Sequence, residues 1–251
     1  MSGVVRRRRA ALVLILMIAA GAVVASLPAH RKIGVNFVVT DHTLPLWIKA
    51  VDFVDRDLNL AQTARQVLSG AESDEARTMA ALEWTRAHVK DQPAGLPIVD
   101  DHVWHVVVRG YGEPDQQADV FTTLLVYEGV PAYWMLIGTL PDELPLSYVR
   151  LQDRWRVFDA GRGIAFRTEA GALATPEDLV RDTSLVERSA RGRVEDEARY
   201  LEYFRGYRVP QPPDVLRADL QMPGRRTLHE MKRLVGLGGR VWQIRPDPAG
   251  H

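Results

Sequence analysis

The chain has 251 residues, of which 46% are hydrophobic and 25% are charged, as is ordinary for one large or two small domains with a buried core. Its 32 basic and 32 acidic residues balance, so no global field favours a nucleic-acid partner. Because the chain contains no cysteine, disulfides, thiolate metal sites and thiol nucleophiles are excluded.

The N-terminal residues 1–29 have the pattern of a membrane anchor or a signal peptide. Arg6–Arg9 form a basic block, and the uncharged run Ala10–Ala29 is about long enough to cross a ~30 Å hydrocarbon core as a helix. Small residues at Ala25 or Ala29 would also suit signal-peptidase cleavage. We therefore expect either a single-pass protein of a bacterial inner membrane, held by residues 10–29, or a secreted one. In both cases the body is periplasmic or otherwise extracytoplasmic.

The next hundred residues favour helices. Residues 30–72 are predicted as a linker followed by a first helix from about Leu46 to Ser69, directly after Pro45. A second helix is predicted to begin at Ser73 and to have acidic residues in its first turn. Residues 100–112 are apolar and partly alternating, as in a strand, and residues 118–129 predict a buried helix closed by glycine.

The second half of the chain favours an antiparallel sheet. Residues 132–138, 146–151 and 154–160 read as strands, and the last two are joined by a tight turn. Helices are predicted over residues 175–180 and 194–209, and a basic amphipathic segment over residues 225–239. The order of elements predicts an α+β core over residues 73–175, with one central helix packed on the sheet, and a C-terminal helical extension over residues 176–251.

Two stretches carry a family resemblance. They are "GYGEPDQQADVFTTLLVYEGVPA", residues 110–132, and "PLSYVRLQDRWRVFDA", residues 145–160. The region Ser73–Ala160 resembles the transglutaminase-like core, which has a papain-type α+β fold. That family has a glycine-rich turn before a Cys at the start of the central helix, a Gly-[Ile/Val]-Pro-Ala turn after it, a His at the start of a strand, and an Asp after a Trp on the next strand.

The resemblance implies that the catalytic triad is degenerate. It places the Cys position at Pro114, the His position at Leu146 and the Asp position at Asp159. Shifting the alignment cannot restore the pair, because the chain has no cysteine and no histidine between His105 and His229. Neither proline nor leucine can replace a thiol or an imidazole. We therefore expect a protein that is not an enzyme and that uses no cofactor or metal.

Several residues near the degenerate site are possible ligand contacts. Amides and carboxylates at the start of the helix would hold a peptide or a sugar, and aromatic rings on the strands would stack on it. Each also has an ordinary structural explanation as a helix cap, a surface residue or a core residue. The ligand-binding candidates are Asp115, Gln116, Gln117, Trp134, Tyr148 and Asp159.

The function favoured by the sequence is a non-catalytic binding or scaffolding module in cell-envelope or polysaccharide assembly. Its partner would be an envelope protein, a peptide or a glycan. One alternative is a hydrolase with relocated acid–base chemistry that uses Asp115, Asp159 and the pair His102/His105, which would point to opposite faces on a strand. The other is a structural subunit of a membrane complex. The basic C-terminal segment would dock on the domain, on a partner or on a membrane.

Overall fold

The computed structural model describes residues 2–100, 102–139 and 142–245. The helices are α1 (Ser2–Ala25), α2 (Leu46–Leu68), α3 (Asp74–His88), α4 (Val103–Arg109), α5 (Pro114–Tyr127), α6 (Pro176–Arg181), α7 (Ser184–Ala190), α8 (Glu197–Glu202) and α9 (Pro223–Leu234), with a 3₁₀ turn at Ala218–Gln221. The strands are β1 (Pro28–Val35), β2 (Val38–Pro45), β3 (Lys90–Asp91), β4 (Val99–Asp100), β5 (Tyr111–Gly112), β6 (Ala132–Thr139), β7 (Asp142–Leu151), β8 (Arg154–Asp159) and β9 (Ile164–Ala165).

The central sheet is antiparallel, with the strand order β6-β7-β8-β9. Side chains alternate along each strand. Val149 and Phe158 lie on the face that packs against α5, where the rings of Phe121 and Phe158 are 5.6 Å apart. Leu144 and Leu146 lie in a second apolar cluster together with residues of α6, α7 and α8. The predicted helix-on-sheet core is confirmed, and the C-terminal extension covers the other face of the sheet.

Helix α5 is almost entirely buried and has clear start and stop signals. Pro114 occupies its first turn, where an N–H would have no helical partner. The side-chain Oε1 of Gln116 accepts a hydrogen bond from the N–H of Glu113 at 3.1 Å, which caps the helix start. Gly129 follows the helix with φ +82°, a left-handed conformation that favours glycine.

The apolar stretch before α5 is a helix, so the strand-like interpretation is wrong. His102 caps α4, since its Nδ1 accepts a hydrogen bond from the N–H of Trp104 at 3.1 Å. Gly110 ends the helix with φ +73°. One face of α4 packs against α2 and α5 through Val103 and Val106, so packing and caps override the strand preference of the valines.

The N-terminal segment begins as a helix and continues as a hairpin. Helix α1 ends at Ala25, before the predicted limit of Ala29, because the chain enters β1 at Pro28. β1 pairs with β2 from Pro28–Pro45 to Val35–Val38. Across the described residues, no helix combines the length and the apolar character that crossing a bilayer requires. The transmembrane helix expected over residues 10–29 stays a prediction.

The C-terminal segment returns to the edge of the sheet. The N–H of Leu136 on β6 donates to the carbonyl of Ile244 at 2.8 Å, and the indole of Trp242 donates to a β6 carbonyl, that of Trp134. Arg245 donates to both carboxylate oxygens of Glu143, at 2.6 and 2.7 Å. These contacts cover the open edge of β6, which would otherwise expose unpaired backbone groups.

Candidate functional site

Pro114 and Asp159, the residues at which the resemblance places the Cys and Asp positions, come together at the start of α5. A Cβ atom added to Gly161 would lie 3.1 Å from Gln117 Oε1, 3.2 Å from Pro114 Cβ and 3.5 Å from Asp159 Oδ1. All four residues therefore share one closely packed corner. The space next to the helix terminus is filled by protein atoms, and an added methyl group would require Gln117 and Pro114 to shift slightly.

Leu146 lies on the strand next to Asp159, as the resemblance implies for the His position. Ser147 pairs with Phe158 across β7 and β8, so one further step of this register places Leu146 opposite Asp159. The Leu146 side chain is fully buried in the apolar cluster that lies against α6–α8. It fills core space and has no proton to exchange.

Asp159 is fully buried and bound to two neighbouring side chains. Its Oδ1 accepts from the backbone N–H of Arg162 at 3.0 Å. Its Oδ2 accepts from Arg162 Nη1 at 3.1 Å and from the Tyr200 hydroxyl at 2.9 Å. Burial raises the pKa of Asp159, and the Arg162 guanidinium opposes that rise. The partners of this carboxylate are therefore a guanidinium and a phenol. The phenol, that of Tyr200, connects the end of β8 to α8.

The side chains of the two glutamines at the start of α5 donate hydrogen bonds to backbone carbonyls of the neighbouring segments. Gln116 Nε2 donates to the carbonyl of Val99 at 2.8 Å. Gln117 Nε2 donates to the carbonyl of Val89 at 3.2 Å and to Asp91 Oδ1 at 3.0 Å. Gln117 Oε1 is buried without a hydrogen-bond partner and lies against the packed corner at Gly161. Most of the hydrogen-bonding capacity of both amides is therefore used within the protein.

Asp115 is on a different side of α5 from Gln117, because residues two apart on a helix point in nearly opposite directions. Burial raises the pKa of Asp115 to about 6, and the carboxylates of Asp119 and Asp100 add to that rise. Burial also raises the pKa of Asp159, but there the neighbouring groups, Arg162 and Tyr200, oppose the rise. The two carboxylates of the alternative hydrolase hypothesis thus have separate electrostatic surroundings.

The histidine pair flanks the first turn of α4 and does not lie on opposite faces of a strand. The rings of His102 and His105 are 6.3 Å apart at their centroids. Burial, followed by the charge of Arg56, lowers the pKa of His102 to about 3, so its imidazole is neutral. No group of three or more His, Cys, Asp or Glu side chains that could hold a metal ion occurs in the parts of the chain that the structure describes.

Sequence reasoning missed an ion pair between a buried carboxylate on α5 and a partly exposed arginine. Arg217 Nε lies 2.9 Å from both carboxylate oxygens of Asp119, and the indole N–H of Trp134 donates to Asp119 Oδ1 at 3.2 Å. The Arg217 guanidinium also lies over the ring of Trp242, 5.0 Å from its centroid. An aspartate within the apolar run of a buried helix was the available signal, because such a charge requires a partner.

The two aromatic candidates are core residues. Trp134 is 3% exposed and Tyr148 is fully buried, so the structure corrects their proposed role as stacking surfaces. Tyr148 stacks on Tyr133, with ring centroids 4.9 Å apart, and the half-buried Trp155 meets Tyr133 edge-on at the same distance. Trp155 is less buried than these rings and lines an open cleft together with Tyr133.

Trp155 lines a cleft of about 260 Å³ at the other end of β8 from Asp159. A six-residue strand puts the two ends roughly 16 Å apart. The cleft is enclosed by the β7–β8 turn, the start of α6 and the proline-rich segment after α8. The lining residues are Tyr133, Asp153, Arg154, Trp155, Pro176, Glu177, Val209, Pro210 and Pro212.

No family model matches the chain, and no curated protein matches it. Among solved structures, it is similar to a protein from Cytophaga hutchinsonii provisionally assigned as a cysteine protease, with 14% identity, 56% of each chain covered and a TM-score of 0.38. It is also similar to a provisionally assigned protease from Parabacteroides distasonis, with 9% identity, 53% of this chain and 36% of that chain covered, and a TM-score of 0.34. A further similar structure is described as a TGase, with 10% identity, 59% of this chain and 46% of that chain covered, and a TM-score of 0.33.

The chain thus spans 56%, 36% and 46% of the lengths of these three structures. Likenesses this distant say nothing about activity. The chain's own architecture, with α5 packed on β6, β7 and β8, is the arrangement predicted by the resemblance to the transglutaminase-like core.

Proposed function

We propose that the chain is a non-catalytic binding module built on a transglutaminase-like core. The main support for this proposal is the closely packed corner formed by Pro114, Gln117, Asp159 and Gly161 at the start of α5. There Pro114 replaces a nucleophile, and Asp159 is fully buried and bound by Arg162 and Tyr200. A thiol–imidazole mechanism requires an accessible thiolate and a base that moves a proton. Neither group is present in the corner, and the chain contains no thiol anywhere.

The cleft beside Trp155 is the surface we propose for ligand binding. Its aromatic floor is formed by Tyr133 and Trp155, and its rim carries Asp153, Arg154 and Glu177. A concave surface that combines aromatic rings with a few charged groups has the kinds of side chain that small-ligand sites use. An extended peptide or a glycan segment fits this chemistry, since both offer flat apolar faces and hydrogen-bonding edges.

Binding to the cleft is tested with peptide and glycan arrays probed with the wild-type protein and with Trp155→Ala. The matched control is Trp47→Ala, which removes an exposed tryptophan from α2. We expect the array signal to fall at least tenfold in Trp155→Ala and to stay at the wild-type level in Trp47→Ala, since a stacked aromatic anchor contributes about 1.5 kcal/mol or more. Equal signals from Trp155→Ala and the wild type would disprove binding at this cleft.

The alternative hydrolase is supported by one observation, the raised pKa of Asp115. A carboxyl group with a pKa of about 6 is suited to proton transfer near neutral pH. The test is hydrolysis of casein and of amide substrates by the wild-type protein and by Asp115→Asn, together with amine incorporation into casein. We expect no turnover by either protein. Turnover by the wild type that Asp115→Asn abolishes would overturn the non-catalytic proposal and establish the alternative.

The cellular setting of this proposal is the periplasmic side of a bacterial inner membrane, in envelope or polysaccharide assembly. It is supported by the basic block Arg6–Arg9 directly before an uncharged run, the arrangement that holds an N-terminus in the cytoplasm. Alkaline phosphatase fused after the last residue tests it, because that enzyme folds only when exported. High phosphatase activity in whole cells is the expected result, and an inactive, stably produced fusion would contradict it.

A further inference from the structure

Helix α9 packs against the protein through its polar side. Arg225 Nη1 lies 2.5 Å from Asp219 Oδ1, and the guanidinium of Arg226 lies 5.6 Å from the centroid of the Phe53 ring on α2. None of the α9 residues is buried against the described part of the chain. An amphipathic helix of a globular domain normally does the opposite and turns its apolar stripe to the core.

The apolar side of α9 is exposed to solvent. Leu228, Met231, Leu234 and Val235 recur at helical spacing and are 53%, 60%, 82% and 69% exposed. Thr227 and Gly224 lie between them on the same face, so the stripe contains no charged residue. A continuous apolar stripe in water indicates a binding surface rather than a chance exposure.

The charges around this stripe indicate what covers it. Residues 223–234 carry four basic side chains (Arg225, Arg226, Lys232, Arg233) and one acid (Glu230), so the net charge of α9 is 4 − 1 = +3. Two copies packed stripe to stripe would bring these like charges together. Arg226 packs on Phe53 and Arg233 pairs with Glu230, whereas Lys232 and the half-exposed Arg225 flank the stripe. An anionic bilayer would receive the apolar stripe between its acyl chains and these two flanking basic side chains among its headgroups.

We propose that α9 binds the surface of an anionic bilayer, with its axis in the plane of the membrane and the stripe from Leu228 to Val235 facing the acyl chains. This surface is distinct from the cleft at Trp155 and does not depend on the proposed function of that cleft. It also differs from the N-terminal anchor, because α9 would lie on a membrane rather than cross it.

A site-specific label tests the proposal in the full-length protein. Because the natural chain has no cysteine, Met231→Cys gives a single labelling site on the stripe, and Glu72→Cys gives an exposed control in the loop before α3. Each is labelled with an environment-sensitive fluorophore and mixed with vesicles that contain a lipid-borne quencher. The vesicles are phosphatidylcholine alone or phosphatidylcholine with phosphatidylglycerol.

We expect strong quenching and a blue shift for the Met231 label with anionic vesicles, and much less with neutral vesicles or with the Glu72 label. Lys232→Gln in the Met231→Cys background should weaken the anionic binding roughly fivefold, the contribution of one basic residue near an anionic surface. The proposal is overturned if the Met231 label responds equally to both vesicles, or responds to neither. A label that becomes shielded with rising protein concentration in buffer would show that a second copy covers the stripe instead.

Discussion

The hydrogen bond from Tyr200 to the buried carboxylate of Asp159 gives the sharpest test of the corner at the start of α5. Tyr200→Phe removes one donor from Oδ2, which keeps its bond to Arg162 at 3.1 Å. A hydrogen bond to a charged group contributes about 1.5–3 kcal/mol to the free energy of unfolding. Tyr200 is 2% exposed, so water cannot easily replace the lost donor. We therefore expect a loss in this range, measured by urea unfolding followed by tryptophan fluorescence.

The chain offers a matched control in Tyr148→Phe. Tyr148 is also buried, but its hydroxyl lies 3.2 Å from the neutral hydroxyl of Tyr207. Removing a bond between two neutral groups costs about 0.5–1.5 kcal/mol. The difference between the two variants isolates the contribution of the charge on Asp159. Equal losses in Tyr200→Phe and Tyr148→Phe would refute the assignment of Asp159 as a charged anchor.

The pH dependence of Tyr200→Phe follows from the pKa of Asp159. Burial raises that pKa above its ordinary value of 3.8, so the folded protein binds a proton more readily than the unfolded chain. The contribution of Asp159 to the free energy of unfolding is therefore fully present below its pKa in the unfolded chain. It falls as the pH rises through the pKa of Asp159 in the folded protein. Loss of the Tyr200 donor raises the folded pKa further, so the deficit of Tyr200→Phe should grow with rising pH. A deficit that is independent of pH would contradict this linkage.

Three further measurements use the same unfolding assay. Asp115→Asn should stabilise the protein by about 1–3 kcal/mol near neutral pH and by much less near pH 4. The reason is that the pKa of Asp115 is about 6 in the folded protein and 3.8 in the unfolded chain, so the fold disfavours the ionised carboxylate. Unchanged stability near pH 7 would contradict this expectation. Gly161→Ala should lower the free energy of unfolding by about 1–3 kcal/mol, because the added methyl group would press on Gln117. An unchanged free energy of unfolding would show that the Gln117 side chain moves aside. Arg217→Met should cost about 1–3 kcal/mol, less than the loss of a fully buried pair, because Arg217 is 35% exposed while Asp119 is buried. A loss below about 0.5 kcal/mol would indicate that water replaces the cation.

The elements with strong local signals could be predicted from the sequence. Helix α5 is closed by Gly129 as predicted, although it begins at Pro114 and not at residue 118. The apolar runs of β6 and β7 are strands buried on both faces of the sheet. The tight turn between β7 and β8 uses two residues with positive φ, Gln152 and Asp153. These features depend on neighbours within a few residues, so a single sequence contains them.

Features that depend on distant partners could not be predicted. Helix α4 was mistaken for a strand because its seven residues are rich in valine, and its stability comes from caps and from packing on α2 and α5. The bond between Tyr200 and Asp159 joins residues 41 positions apart. For α9, the amphipathic pattern is readable, but which face turns outward depends on contacts with Asp219 and Phe53.

The residues at positions 146 and 159 are physically coupled, because the register of β7 and β8 places them opposite each other. A histidine at position 146 would lie opposite Asp159 and would need both that carboxylate and a thiol as partners. Without the thiol, an imidazole there would be a buried polar ring with an unpaired nitrogen, which costs about 1–3 kcal/mol. Leu146 removes that cost by filling the space with apolar atoms, and Tyr200 supplies a donor to Asp159. The Asp159 carboxylate is therefore stabilised by Arg162 and Tyr200, while the strand position opposite it is filled by an apolar side chain.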